Sequence, residues 1–203
     1  GTTPLYIACE NGHLECAQLL LEANAAVDQA ADGGFTPLYV ACQERHLVSV
    51  RLLLAAGAAV NQAMDGGFTP LFIACQKGHL ECVRLLVEAG AALNQATDDG
   101  TTPLCMACQE GHLEIARLLL EANAAVSQAN AKGITPLSAA SQAGEVDCVR
   151  LMIAAGAAVN EADSDGYTPL YAACQEGHLE CAPLLLEAGA AINHAKQTRA
   201  TPL

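Results

Sequence analysis

The sequence predicts an all-α fold of stacked two-helix repeats carrying projecting, hairpin-like loops, and three observations predict it. Thr-Pro-Leu occurs at Thr3, Thr36, Thr69, Thr102, Thr135, Thr168 and Thr201, always 33 residues apart. Between these marks apolar residues recur at helical spacing, as in Leu14, Cys16, Ala17, Leu19, Leu20 and Leu21. The chain of 203 residues is 52% hydrophobic but has only three Phe, four Tyr and no Trp, so its core must be built from Ala, Leu and Val. Units of this length bury their apolar faces only by stacking. The expected organisation is a single array over 1–203, with units near 1–33, 34–66, 67–99, 100–132, 133–165 and 166–198 and a partial unit at 199–203.

Within each unit, the Thr is placed to accept from free amides as a helix N-cap. The Pro after it occupies the first helical position, where a missing N–H costs nothing. A first helix of about eight residues follows, such as Pro4 to Asn11. It is closed by Gly12, Gly78, Gly111, Gly144 or Gly177 where a left-handed cap is wanted. Arg45 alone departs from glycine, and strain is predicted there. A second helix begins at His13, Leu14, Glu15 and their copies. It ends at Asn24, Gly57, Gly90, Asn123, Gly156 or Gly189, the residue types that best tolerate positive φ. Gly-rich turns such as Asp32-Gly33-Gly34 and Asp65-Gly66-Gly67 then read as projecting loops. Pro183, inside the last second helix, is expected to cost about 3 kcal/mol as an interior proline.

Lys plus Arg number 9 against 22 Asp plus Glu, a net charge of −13. Phosphate recognition needs a positive field, so nucleic acid and anionic membrane surfaces are excluded as partners. No apolar run reaches the roughly 18 residues of a membrane span, and no basic segment followed by an apolar stretch opens the chain. The ten cysteines sit at repeat-equivalent places inside helical patterns and read as reduced. A soluble, intracellular, cytoplasmic protein is expected.

Gly67-Phe68-Thr69-Pro70-Leu71-Phe72-Ile73-Ala74-Cys75 followed by Gly78-His79-Leu80-Glu81-Cys82-Val83-Arg84-Leu85-Leu86 resembles the ankyrin repeat, and the resemblance covers the whole chain. It implies antiparallel helix pairs in an L-shaped, slightly curved solenoid, loops projecting from the first-helix side, and a role in binding other proteins. Two departures stand out. The His usual after Thr-Pro-Leu is Tyr6, Tyr39, Phe72, Cys105, Ser138 or Tyr171, and the Asp usual after Gly-Ala is Ala26, Ala59, Ala92, Ala125, Ala158 or Ala191. Both remove loop hydrogen bonds familiar in the family.

Every aromatic residue falls at one of two places in the period. Phe35, Phe68 and Tyr167 precede the Thr; Tyr6, Tyr39, Phe72 and Tyr171 follow the Leu. The resemblance sets both places on the concave side, where the rings are either interface anchors or fillers between neighbouring loops. Acid lies beside them. Asp32, Asp65, Asp98, Asp99, Asp163 and Asp165 face only Lys132, Lys196 and Arg199 in the loops, and Glu10, Glu44, Glu110 and Glu176 face only Lys77 at first-helix ends. On second helices the charges are mixed at pairing distance, as in Glu81, Arg84 and Glu88 or Glu114, Arg117 and Glu121. The acidic face either steers a Lys- or Arg-bearing partner or keeps an Ala-rich array in solution.

Cys-x3-His-x2-Cys occurs at Cys9, His13, Cys16, at Cys75, His79, Cys82 and at Cys174, His178, Cys181. The same places elsewhere accept Ser49, Ile115, Ser141 and Glu145, so they ask for small buried side chains rather than zinc ligands, and no metal or cofactor is expected. Cysteines one repeat apart are too distant to bridge. No phosphate loop, HExxH or nucleophile elbow breaks the period. The fifth unit is irregular (Ser138, Ser141, Glu145, Asp147, Met152) but lacks a nucleophile with its own base.

The reading is a non-catalytic scaffold that binds a protein or peptide rich in basic and apolar side chains. Phe35, Tyr39, Phe68, Phe72, Tyr167 and Tyr171 are the anchors; Asp32, Asp65, Asp98, Asp99 and Asp165 are the steering charge. The rival reading is a structural spacer within a larger protein, with thiol-based metal or redox sensing as a minor third. Neither end carries a recognisably polar capping unit, so a fragment of a longer chain is expected, with end faces that fray or associate end to end.

Overall fold

The computed structural model describes residues 1–193. The partial seventh unit at Thr201-Pro202-Leu203, together with Lys196 and Arg199, lies outside the described residues. Two compact units divide the chain, Gly1–Asp98 and Asp99–Leu203. Among the described residues there is no strand.

The first unit holds α1 (Pro4–Glu10), α2 (Leu14–Glu22), α3 (Pro37–Gln43), α4 (Leu47–Ala55), α5 (Pro70–Gln76) and α6 (Leu80–Glu88). The second holds α7 (Pro103–Gln109), α8 (Leu113–Glu121), α9 (Pro136–Ala143), α10 (Val146–Ala154), α11 (Pro169–Glu176) and α12 (Cys181–Glu187). Each unit is two layers of antiparallel helix pairs. First helices pack in series, α1 on α3 on α5 and α7 on α9 on α11, and second helices do the same behind them. Among the described residues the leucine of each Thr-Pro-Leu is buried, with Leu38, Leu71, Leu104 and Leu137 at most 1% exposed. Across from them Leu53, Leu86, Leu119, Met152 and Leu185 are fully buried. Burial of this kind stabilises by roughly 1.5–3 kcal/mol per side chain and is shared by two repeats at a time.

The helix boundaries follow from local chemistry. Every first helix starts at a Thr whose hydroxyl accepts from the backbone N–H three residues on, at 3.1–3.3 Å. The Thr is extended and a Pro occupies the first turn each time, as the sequence predicts. Such a cap contributes about 1 kcal/mol. Each first helix is closed by a left-handed residue followed by a backbone bond to the last turn, such as His13 N–H to the Ala8 carbonyl at 2.8 Å. The residue in that bond sits at the centre of an inverse γ-turn, with φ −78° and ψ 77° at His13 and Leu14 N–H reaching the Gly12 carbonyl. Second helices end the same way, with Asn24 and Asn123 as the non-glycine left-handed residues, at φ 61° and 71°.

Two local expectations have sharper outcomes. Arg45 adopts φ 62°, so the predicted strain is present in its backbone. Pro183 does not interrupt a helix interior. Helix α12 begins at Cys181, whereas the corresponding α2 begins at Leu14, two residues earlier in the period; Leu179 and Glu180 form a turn instead. Pro183 thereby sits third in the helix, where its missing N–H has no intrahelical partner to lose. The cost is a shortened helix rather than a broken one.

The loops are hairpin-like turns closed by one backbone pair, such as Ala31 N–H to Phe35 carbonyl and Met64 N–H to Phe68 carbonyl. Successive loops are joined by further bonds: Asp65 N–H to Gly33 carbonyl and Asp98 N–H to Gly66 carbonyl in the first unit, Ala131 N–H to Asp99 carbonyl and Ser164 N–H to Lys132 carbonyl in the second, all at 2.8–2.9 Å. Gly67 shows why glycine is required. It has φ 82°, and a Cβ there would stand 2.9 Å from Thr97 Cα and Asp98 N.

Gly67→Ala is expected to cost roughly 2–3 kcal/mol, from the left-handed backbone and the clash together. Arg45→Gly is expected to gain about 0.5–1 kcal/mol, strain relief exceeding the added chain entropy. Urea denaturation of the 203-residue chain reads both.

Candidate partner-binding face

The aromatic residues of the loops and first helices form pairs one helical turn apart. Phe35 meets Tyr39 edge-on at 5.5 Å between centroids and 75°, and Phe68 meets Phe72 at 5.2 Å and 75°. Tyr167 and Tyr171 instead stack at 4.6 Å and 27°. Edge-to-face and offset stacks are both favourable for rings with a negative face and positive edge. Within each of the first two pairs the members differ in depth: Tyr39 is 4% exposed and Phe72 1%, whereas Phe35 and Phe68 are half-buried. Tyr39 and Phe72 therefore do not present a ring to a partner. Of the two roles open to them, burial supports space filling, and they hold Phe35 and Phe68 upright from beneath. Tyr6 is buried as well, its phenol raised by burial and by Glu10, to which it donates at 3.4 Å. Tyr167 and Tyr171 are half-buried.

Asp32, Asp65, Asp98, Asp99 and Asp165 are all exposed on the loops. The backbone amides of Asp65 and Asp98 are tied to the preceding loop, so these tips are held in place while their carboxylates face water. Asp32 accepts from the Gly1 ammonium at 2.6 Å, and that hydrogen bond and charge hold its carboxyl below the ordinary value. Asp99 accepts from Thr101 N–H at 3.1 Å. Asp163 is half-buried and braces its own turn, its Oδ1 accepting from the Asp165 and Tyr167 amides at 2.9 Å each. On the second helices Arg84 pairs with Glu81 at 3.3 Å and Arg117 with Glu114 at 3.9 Å, both exposed and worth little.

Sequence reasoning missed two sets of structural bonds. Asp28 Oδ1 accepts from Ala59 N–H and Asn61 Oδ1 from Ala92 N–H at 2.8 Å, and Asn160 does the same to Ala191 at 2.7 Å. The acceptors of these bonds lie one repeat before the alanines that stand where the family has Asp, and they supply the bracing. The signal was present as an Asp or Asn after Val at Asp28, Asn61 and Asn160. The histidines that open second helices also reach back one repeat. His46 Nε2 lies 3.1 Å from the Glu10 carbonyl, His79 3.1 Å from that of Gln43 and His178 2.9 Å from that of Gln142. These rings satisfy first-helix carbonyls.

Eight cysteines are buried; Cys16 and Cys174 are exposed. Burial pushes Cys9 up to about 11 and Cys105 up to about 12, and it raises Cys42 and Cys75 as well. Cys42 and Cys82, 40 residues apart, share a thiol hydrogen bond. Where Ser141 replaces cysteine, its hydroxyl donates to the Leu137 carbonyl at 2.8 Å, so the small buried place keeps its polar atom satisfied. Among the described residues no three His, Cys, Asp or Glu side chains converge as a ligand set, including Cys9, His13 and Cys16.

Tandem repeat units built this way, capped by Thr-Pro and tied loop to loop, match the family model described as ankyrin repeats (3 copies) over residues 1–64, 50–130 and 122–196. The chain belongs to the ankyrin-repeat family. A crystal structure of the human ASB11 ankyrin repeat domain is similar at a TM-score of 0.86 and 30% identity, over 97% of this chain and 88% of that one. No curated protein sequence matches. The fold is thus the all-helical ankyrin-repeat solenoid. Ankyrin repeats generally mediate protein–protein interaction, and proteins built from them are typically non-enzymatic. Among the described residues no helix is long and apolar enough to cross a membrane.

The raised thiols make a pH prediction. Unfolded thiols ionise near 9 and folded Cys9 near 11, so between these values the unfolded chain binds fewer protons and stability falls as pH rises. Urea melts in reductant should give a constant free energy up to about pH 8 and a loss of roughly 2–3 kcal/mol by pH 11 from Cys9 alone. A flat profile would show that the thiols are solvated.

Proposed function

We propose that the chain is a non-catalytic recognition scaffold that binds a protein or peptide segment through its loop and first-helix face, the face that the family resemblance makes concave. One observation carries the reading: half-buried Phe35 and Phe68 each stand three residues after a fixed, exposed acid, Asp32 and Asp65. An aromatic ring already held edge-on by a buried neighbour is a low-entropy anchor, and the acid beside it selects Lys or Arg in the partner. Tyr167 with Asp165, and Tyr171, extend the same pairing in the second unit, with Asp98 and Asp99 adding steering charge. Tyr39 and Phe72 act as supports.

Selection of a random peptide display library on the chain tests this. The expected ligands carry Lys or Arg next to apolar residues, lose at least tenfold in affinity to Phe35→Ala with Phe68→Ala, and bind more weakly as salt rises. Affinity that survives the double substitution removes the anchors, and salt-independent binding removes the steering.

A further inference from the structure

Eight asparagines occur in the chain, and only Asn11 is followed by glycine. The backbone nitrogen of the residue after an asparagine can close a five-membered ring on the side-chain Cγ. A glycine nitrogen does so most readily, because no Cβ shields it and its backbone turns freely.

Asn11 stands at the end of α1, exposed to solvent, with φ −94° and ψ 1°. Its backbone N–H and its Nδ2 both donate to the Ile7 carbonyl, at 3.1 and 2.9 Å. The Gly12 amide makes no hydrogen bond among the described residues. At copies of this place the amide is taken: Gly78, Gly111 and Gly177 N–H reach the Cys75, Cys108 and Cys174 carbonyls at 3.3–3.4 Å. Five other asparagines differ both in the next residue and in its amide. Asn24 and Asn123 precede Ala25 and Ala124, whose N–H groups are held at 2.9 Å by the Leu20 and Leu119 carbonyls. Asn61, Asn94 and Asn130 precede amides bonded to the Ala59, Ala92 and Asp99 carbonyls.

We propose that Asn11 is a site of spontaneous deamidation and that its product opens the joint between α1 and α2. The Gly12 nitrogen adds to Asn11 Cγ as its proton leaves; the Cγ–Nδ2 bond then breaks and Nδ2 departs as ammonia, leaving a succinimide. Water opens that ring at either carbonyl and gives aspartate or isoaspartate. For the ring to close, ψ of Asn11 must turn away from 1°. Turning it releases the exposed Nδ2 bond to Ile7 and breaks none at the Gly12 amide, so a local opening of the cap is enough. Isoaspartate routes the main chain through the side-chain methylene. The extra atom falls just before the His13 N–H that closes α1 on the Ala8 carbonyl at 2.8 Å. Either product also places a carboxylate at a helix C-terminus, where negative charge is unfavourable. The altered segment lies against the next repeat: a Cβ on Gly12 would stand 2.7 Å from His46 Cε1, and His46 Nε2 is 3.1 Å from the Glu10 carbonyl.

The 203-residue chain is aged in native buffer at neutral and mildly alkaline pH, with a second sample aged in urea. A Glu-specific protease cuts after Glu10 and Glu15 and releases Asn11–Glu15, a peptide with one side-chain amide. In the native sample the mass gain of amide-to-acid exchange is expected on this peptide before any other asparagine peptide, faster at the higher pH, and absent from Asn11→Gln. Asp32-Gly33 and the other Asp-Gly steps rearrange without a change of mass and stay silent in this reading. Hydrogen exchange of the aged native chain should show protection lost at the His13 amide and kept in equally aged Asn11→Gln. A gain that appears first on other asparagines, or at Asn11 only in urea, overturns the site. Undiminished protection of His13 after deamidation overturns the opening of the joint.

Discussion

Each repeat leaves half of its core unfinished, and that constraint governs everything else in the chain. Leu38 and Leu71 are sealed only because a neighbouring first helix lies across them, and Leu53 and Leu86 only because a neighbouring second helix does. A lone helix of seven to nine residues is too short to persist in water, so helix formation and stacking must occur together. The polar bonds between repeats follow the same logic. The His46 ring on Glu10, the Asp28 carboxylate on Ala59 and the loop amides of Asp65 and Asp98 all satisfy groups that a repeat cannot satisfy by itself.

What the sequence made legible was whatever depends on neighbours in the chain. Thr3 and its copies cap because a hydroxyl can reach an amide three residues away, and Gly12 or Asn24 ends a helix because its backbone tolerates positive φ. Neither depends on what packs nearby. Pro183 was misread for a related reason. Its ring forbids an interior position, but a helix may respond by starting later, and that choice is made by how Leu179 and Cys181 pack, with Leu179 85% exposed and Cys181 fully buried.

Bonds that span 31 to 36 residues were not legible, because they need the register between repeats. The same holds for the site. Two aromatics one turn apart look equivalent in sequence, and only the stacking of loops over first helices shows that Phe72 lies beneath Phe68.

The back-reaching bonds have a consequence for inheritance. Donor and acceptor stand at the same places in the consecutive repeats of the first unit, so there the loss or gain of 33 codons joins an Asx acceptor to an alanine amide, and an imidazole to a helix-end carbonyl, of the kind it met before. A gene of this design can lengthen or shorten by whole periods through copying slips while its product still closes every seam.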